Sequence, residues 1–238
     1  MSHKVIYIKV ELLLWQKTMI AIELISEEIP PLKHTDTGEV ALQWMDEFKV
    51  NHLPVLKGEN FVGLLSENDL LDKNDLSKTL HELFTHLPRP YVKGTSHIYE
   101  VLAMSSDAHV SVVPVLDDEE NYLGCISIVE LMQKVANTSS IKETGGIIVL
   151  EMNGVDYSLS HISQIIESEN AKVLSSFITS NPSSRKLELT LKINLVELGR
   201  IIRALERYDY QIKASFQRNS HHEDLKNRYD ELMKYLNI

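Results

Sequence analysis

The stretch Asn51-His52-Leu53-Pro54-Val55-Leu56-Lys57-Gly58-Glu59-Asn60-Phe61-Val62-Gly63-Leu64-Leu65-Ser66-Glu67-Asn68-Asp69-Leu70 decides the fold. It reads as an apolar strand through Pro-Val-Leu, a polar hairpin turn at 57–60, a return strand, and a helix opened by Ser66. A serine with an acidic residue three positions on is a helix N-cap signal. The exposed N–H groups it marks also favour an anion.

The stretch has a twin. Leu53-Pro54-Val55-Leu56 falls on Val113-Pro114-Val115-Leu116 at an offset of 60, as Val40-Ala41-Leu42 falls on Glu100-Val101-Leu102. After one extra turn residue, Glu59–Ser66 matches Glu120–Ser127 at an offset of 61, and Asp69-Leu70 answers Glu130-Leu131. Four landmarks in register make a duplicated unit the economical reading. Each copy opens with an amphipathic helix: Val40, Ala41, Trp44, Met45 and Phe48 in the first, Val101, Leu102 and Met104 in the second.

Beyond Gly145 the pattern changes. Residues 146–151 and 173–178 read as strands, with Leu159, Ile162, Ile165 and Ile166 on one helix face between them. Residues 180–184 read as a turn. Leu187, Leu189, Leu191 and Ile193 alternate with polar residues. Leu195, Leu198, Ile201, Ile202 and Leu205 mark a second helix, and Tyr210, Ile212, Ala214 and Phe216 alternate again. The order βαββαβ predicts a ferredoxin-like layout, helices on one face of a four-stranded antiparallel sheet.

The whole chain of 238 residues carries 24 basic and 34 acidic side chains, a net of −10. Residues 1–140 hold 11 basic against 21 acidic residues, so all of that charge lies there and 141–238 are neutral. An acidic half repels phosphate backbones and argues against nucleic-acid binding. The single cysteine, Cys125, excludes an intramolecular disulfide and fits a reducing compartment. No stretch approaches the ~18 apolar residues of a membrane span, so no membrane partner and a cytoplasmic location are expected. Residues 1–18 match nothing downstream and read as an N-terminal extension, with Met19 a candidate second start.

The run 51–70 resembles the cystathionine-β-synthase (CBS) motif. The motif Gly-x-x-Ser-x-x-Asp is short, but here it follows a Pro-Val hairpin and occurs twice. Residues 19–137 look like a tandem CBS pair (a Bateman module), with 19–78 and 79–137 as its units. The βαββαβ segment 145–218, reached through a linker at 138–144, resembles an ACT domain, as in CBS-ACT regulators similar to the acetoin-utilisation proteins. The expected fold class is therefore α+β: a tandem CBS pair, a ferredoxin-like domain and a C-terminal helix at 219–238.

The CBS resemblance implies clefts between the two units that hold adenosyl ligands. It places the ribose-binding carboxylate on Asp69, a sensible acceptor for two vicinal hydroxyls. Ser66 would face phosphate or ribose, Thr35, Asp36 and Thr37 would supply polar groups, Asn51 and His52 would meet adenine, with His52 also reaching a phosphate in the neighbouring cleft, and Pro54 belongs to the same nucleotide-binding set. The second set is Ser96, His97, Ser111, Val112, Ser127 and Glu130. It departs from the pattern, since glutamate replaces aspartate and moves the carboxylate more than ~1 Å outward. The first set is the better ligand site. With no arginine at either strand start, a nucleoside or monophosphate is favoured over a triphosphate.

Other features read plainly. Asp117-Asp118-Glu119-Glu120 lacks calcium-site spacing and is a solvated turn. His221-His222-Glu223-Asp224 could suggest zinc, but Ser220-x-x-Glu223 is a capping box opening an amphipathic helix; no metal is expected. Cys125 reads as inert core. The glycine that precedes the first helix in amino-acid-binding ACT domains is replaced by Tyr157-Ser158, so a dimerising unit without ligand and an amino-acid sensor both stay open. Without a nucleophile elbow, P-loop or HExxH motif, an enzyme is not expected. The first expectation is a regulatory homodimer that senses AMP, ADP, ATP or S-adenosylmethionine, requires no cofactor, and signals to an unknown protein partner. The alternatives are an oligomerisation scaffold whose Ser66 and Asp69 only cap a helix, and an enzyme with a pocket the sequence does not reveal.

Overall fold

A computed structural model describes residues 19–137, 139–180 and 186–217. The expected extension at 1–18, residues 181–184 of the turn and the tail helix at 219–238 lie outside the described residues. The chain divides into two units between Val135 and Ala136.

In the first unit, α1 (Ala21–Leu24) leads into β1 (Leu32–Lys33), α2 (Gly38–Phe48), the hairpin β2 (His52–Lys57) and β3 (Asn60–Ser66), and α3 (Glu67–Leu71). The series repeats as α4 (Leu80–Leu83), β4 (Val92–Lys93), α5 (Ile98–Ala108), β5 (Val112–Leu116), β6 (Tyr122–Ser127) and α6 (Ile128–Ala136). Each copy forms a three-stranded sheet whose first strand runs parallel to the second and whose third is antiparallel to it. The duplication extends to irregularities. Both hairpins carry a bulge, at Val55/Leu56 and Val115/Leu116. Both long helices end on a left-handed residue, Lys49 at φ 54° and His109 at φ 53°. Pro54 sits in a central strand without penalty on its β1 side, because pairing with β1 begins only at Val55.

The sequence boundary between the copies is not the boundary between their cores. Ala21 and Leu24 pack with Val92, Val113, Val115 and Ile126 of the second copy, whereas Leu80 packs with Leu32, Met45 and Leu53 of the first. Backbone bonds follow the same exchange. Ala21 and Ile22 N–H donate to Ser96 and Gly94 carbonyls (2.8 and 3.0 Å), and Leu80 and His81 N–H donate to Asp36 and His34 carbonyls (2.8 and 3.0 Å). Each exchanged segment then crosses the other copy's third strand above a glycine. A Cβ on Gly63 would lie 2.5 Å from Leu87 Cβ, and one on Gly124 would lie 2.5 Å from Ile25 Cγ2. The motif glycine is thus explained by packing: only a residue without a side chain admits the crossing segment.

The second unit begins with a short helix, α7 (Ser139–Lys142), where a loop is expected. Then come β7 (Gly146–Asn153), α8 (Leu159–Ser168), β8 (Val173–Ser180), β9 (Lys186–Ile193), α9 (Gly199–Arg207) and β10 (Gln211–Phe216). The strand order β10-β7-β9-β8, with every pairing antiparallel, is the ferredoxin-like arrangement. Ile148, Leu150, Leu189, Leu191 and Ile193 face Ile162, Ile166, Ile201 and Leu205 in one core, each such burial contributing roughly 1.5–3 kcal/mol.

Two local expectations change. The second helix starts at Gly199 rather than near Leu195. The Leu195 carbonyl is taken by Gly146 N–H at 2.8 Å, and Leu198 enters the core from the N-cap position instead. In β10 a bulge between Ile212 and Ala214 breaks the alternation. Ile212 pairs with core-facing Leu150, but Ala214 and Phe216 pair with outward Val149 and Ile147, which leaves Phe216 59% exposed.

Candidate functional site

The residues around the first motif are organised by a helix cap. Ser66 ends β3 and its Oγ accepts the Asp69 N–H at 3.1 Å. In return, Asp69 Oδ2 accepts the Ser66 N–H at 3.3 Å and the Ser66 hydroxyl at 2.6 Å. Both side chains are half-buried. Both bonds to the carboxylate fall on Oδ2, so Oδ1 has no hydrogen bond among the described residues.

The strand before the cap reaches the other copy. Asn51 N–H donates to Ser111 Oγ at 3.0 Å, and Ser111 N–H donates to His52 Nδ1 at 3.2 Å. The Ser111 hydroxyl also lies 3.1 Å from that nitrogen. Because Nδ1 accepts a backbone N–H, the proton of the neutral ring sits on Nε2. Burial lowers the His52 pKa below the usual imidazole value, partly opposed by the nearby Asp69 charge. The two motifs therefore meet at Asn51-His52 and Ser111, where the strands preceding the caps approach each other. The helices mirror this: Glu67 N–H donates to the Asn51 carbonyl (2.9 Å) and Ile128 N–H to the Ser111 carbonyl (3.1 Å).

The remaining first-set residues are structural in their visible bonds. Thr37 caps α2 by accepting Val40 N–H at 3.4 Å, and Asp36 accepts Lys33 N–H at 2.7 Å. Thr35 is exposed, and Pro54 is buried within β2. No hydrogen bond among the described residues joins 35–37 to Ser66 or Asp69. In the second set, the Ser96 hydroxyl donates to Glu100 at 2.6 Å, and His97 caps α5 by accepting Tyr99 N–H at 3.3 Å. Val112 is fully buried in the first copy's core, so it offers a ligand only backbone.

The second cap differs from the first. Ser127 Oγ accepts the Glu130 N–H at a long 3.5 Å, but the Glu130 carboxylate does not return to the cap. Its Oε1 instead accepts the hydroxyl of Ser26 at 2.8 Å. Ser26 lies outside the duplicated landmarks, so nothing in the repeat signals it. Asn51 has a similar unannounced partner: its side-chain amide donates to Glu67 at 2.9 Å.

A family model for the CBS domain matches residues 21–74. The second copy repeats the elements and sheet order of the matched segment, and a ferredoxin-like unit follows. Solved structures resemble the chain. A CBS domain pair/ACT domain protein from Thermotoga maritima is 22% identical, covering 49% of this chain and 96% of its own, with a TM-score of 0.44. CBSX2 in complex with AMP is 22% identical over 49% of this chain and 95% of its own (TM-score 0.41). The cytosolic domain of the Mg2+ channel MgtE in complex with ATP is 22% identical over 53% of each chain (TM-score 0.42). At these values the assignment rests on the family match and the duplicated elements rather than on the likenesses.

Elsewhere, Cys125 is fully buried, and burial pushes its thiol pKa up to about 11, the state of an inert thiol. In the acidic turn, Asp117 accepts the N–H groups of Glu119 and Asn121 (2.9 and 2.8 Å). Among the described residues no group of three or more His, Cys, Asp or Glu side chains could hold a metal ion, and no helix is long and apolar enough to cross a membrane. In the second unit, Ser158 caps α8, and His161 Nδ1 lies 2.8 Å from the Tyr210 hydroxyl in an open groove of about 480 Å³ shared with Asp156 and Tyr208.

Proposed function

We propose that this chain is a regulatory protein that binds an adenosyl nucleotide in the cleft carrying Ser66 and Asp69 and relays its occupancy to the ACT-type unit. The observation that carries the reading is the Ser66–Asp69 cap of a CBS domain whose neighbouring strand, at Asn51 and His52, is bonded to the second motif at Ser111. The spare oxygen of Asp69 supplies an acceptor for ribose hydroxyls, and such charge-assisted bonds are stronger than neutral ones. His52, neutral and donating through Nε2, can meet a phosphate or ring nitrogen. The charge of −10 over residues 1–140 disfavours each added phosphate, so AMP is the expected ligand ahead of ATP.

A relay needs the nucleotide to favour one arrangement of the protein over another by its differential affinity. The reading assigns no catalytic role to the clefts, and it takes the working form to be a homodimer. Calorimetric and thermal-shift titrations with AMP, ADP, ATP and S-adenosylmethionine test it. Saturable binding of AMP that is lost in Asp69→Ala is the expected result. If none of the four compounds binds, the first cleft is no nucleotide site and the pair acts as a scaffold.

A further inference from the structure

We infer that the junction between the two copies carries a proton switch on one side only: neutral His52 accepts the Ser111 N–H and ties the copies together there, and the imidazolium releases it. The switch belongs to the protein without ligand and stands whether or not the first cleft binds a nucleotide.

The duplication makes the asymmetry readable. Asn51 and Ser111 are equivalent positions, each immediately before the hairpin of its own copy. Each gives its backbone N–H to a side chain of the other copy: Asn51 N–H to Ser111 Oγ at 3.0 Å, and Ser111 N–H to His52 Nδ1 at 3.2 Å. The two bonds correspond, but their acceptors differ in kind. A serine hydroxyl keeps its lone pairs at every pH near neutrality, whereas Nδ1 accepts only while the ring is uncharged. The counterpart of His52 in the second copy is the buried Val112, so no second imidazole restores the symmetry.

Protonation sets a hydrogen on Nδ1 facing the Ser111 N–H, and that backbone donor loses its partner. The Ser111 hydroxyl, 3.1 Å from Nδ1, can accept the new N–H while still accepting from Asn51, because its oxygen has two lone pairs. One side of the junction therefore holds while the other opens. The surroundings set where this happens. Burial of the ring disfavours the cation and outweighs the charge of Asp69 on α3, which favours it, so release falls on the acid side of ordinary imidazole. The other groups around the ring leave it alone. Glu67, also on α3, accepts from the Asn51 amide, Ser66 opposite His52 on β3 is neutral, as are Ser111 and Val112, and Glu130 on α6 is bonded to Ser26.

Amide hydrogen exchange of the full-length, nucleotide-free protein, resolved by residue in nuclear magnetic resonance spectra from about pH 7.5 to about pH 5, tests this, with the ring nitrogen shifts of His52 reporting its protonation. Before it titrates, the ring is expected as the Nε2–H tautomer. As it titrates, the Ser111 amide is expected to lose protection roughly threefold to tenfold, the weight of one backbone hydrogen bond, while the Asn51 amide, its internal control, keeps its own. His52→Gln, whose side-chain carbonyl can accept at every pH, is expected to remove the pH dependence at Ser111; if that variant folds poorly, the wild-type comparison of the two amides decides alone. A Ser111 amide that stays protected through the ring titration, an Asn51 amide that loses as much, or a ring that stays neutral until the protein unfolds overturns the inference and leaves the nucleotide reading untouched.

Discussion

Replacing Gly63 by alanine sets a methyl carbon 2.5 Å from Leu87 Cβ and 2.9 Å from the Pro88 carbonyl oxygen. Neither neighbour is the loose end of a flexible side chain. Pro88 is held in place because its carbonyl accepts Leu64 N–H at 2.8 Å. Relief requires the 87–88 segment to lift, which costs about 1–3 kcal/mol for overpacking and about 1 kcal/mol for the weakened backbone bond. The expected loss is about 2–4 kcal/mol. Gly58→Ala is the internal comparison. Gly58 sits at φ +66° with nothing within 4 Å of a new Cβ, so only left-handed backbone strain applies. Partly offset by a stiffer unfolded chain, that strain costs about 1 kcal/mol. Trp44 packs against the core of the first unit, so in a Trp15→Phe background tryptophan fluorescence during urea unfolding follows that unit. A Gly63→Ala loss no larger than that of Gly58→Ala refutes the crossing-segment account of the motif glycine.

His52 gives a pH dependence. Its folded pKa lies below the ordinary value of 6.5 because of burial. As pH falls through 6.5 the unfolded chain binds the proton first, so stability drops until the folded pKa is passed and is unaffected well above 6.5; His52→Gln should flatten thermal stability between pH 7.5 and 5.5, and an unchanged slope counts against it. Among the described residues the buried Tyr122 hydroxyl has no hydrogen-bond partner of normal geometry, and the Cys125 thiol lies near it. Tyr122→Phe is accordingly expected to be neutral or to stabilise by about 1 kcal/mol in urea unfolding, and a loss above that value shows the hydroxyl to be satisfied. In β10, Ile212→Ala should cost about 1–3 kcal/mol and Phe216→Ala less than about 0.5 kcal/mol, measured by thermal unfolding; equal losses contradict the bulge.

Much of this architecture is visible in the chain because it depends on local periodicity. The Pro-Val hairpins, the Ser-x-x-acid caps and the alternation of Leu187, Leu189, Leu191 and Ile193 are short-range signals, and each matches an observed element. What escaped is long-range. The exchange of Ala21–Leu24 with Leu80–Leu83 depends on which core each short helix enters, and four-residue helices carry too few apolar positions to declare a partner. The bulge in β10 inserts a residue that a strict alternation cannot anticipate. At the two helix caps, the serine and the acid of each motif are legible, but the fate of each carboxylate is not. Asp69 and Glu130 differ by one methylene in sequence, and only the position of Ser26 in space converts that methylene into a separate hydrogen bond.

The traded short helices have a consequence for how this half of the molecule can be divided. A cut between Lys78 and Thr79 separates the two sequence repeats cleanly, yet strands α4 on the wrong fragment and leaves α1 without its seat. Neither piece is then autonomous. Each regains its missing edge only by docking with the other or with a second molecule of its own kind, so the doublet rather than the single repeat is the smallest heritable folding module.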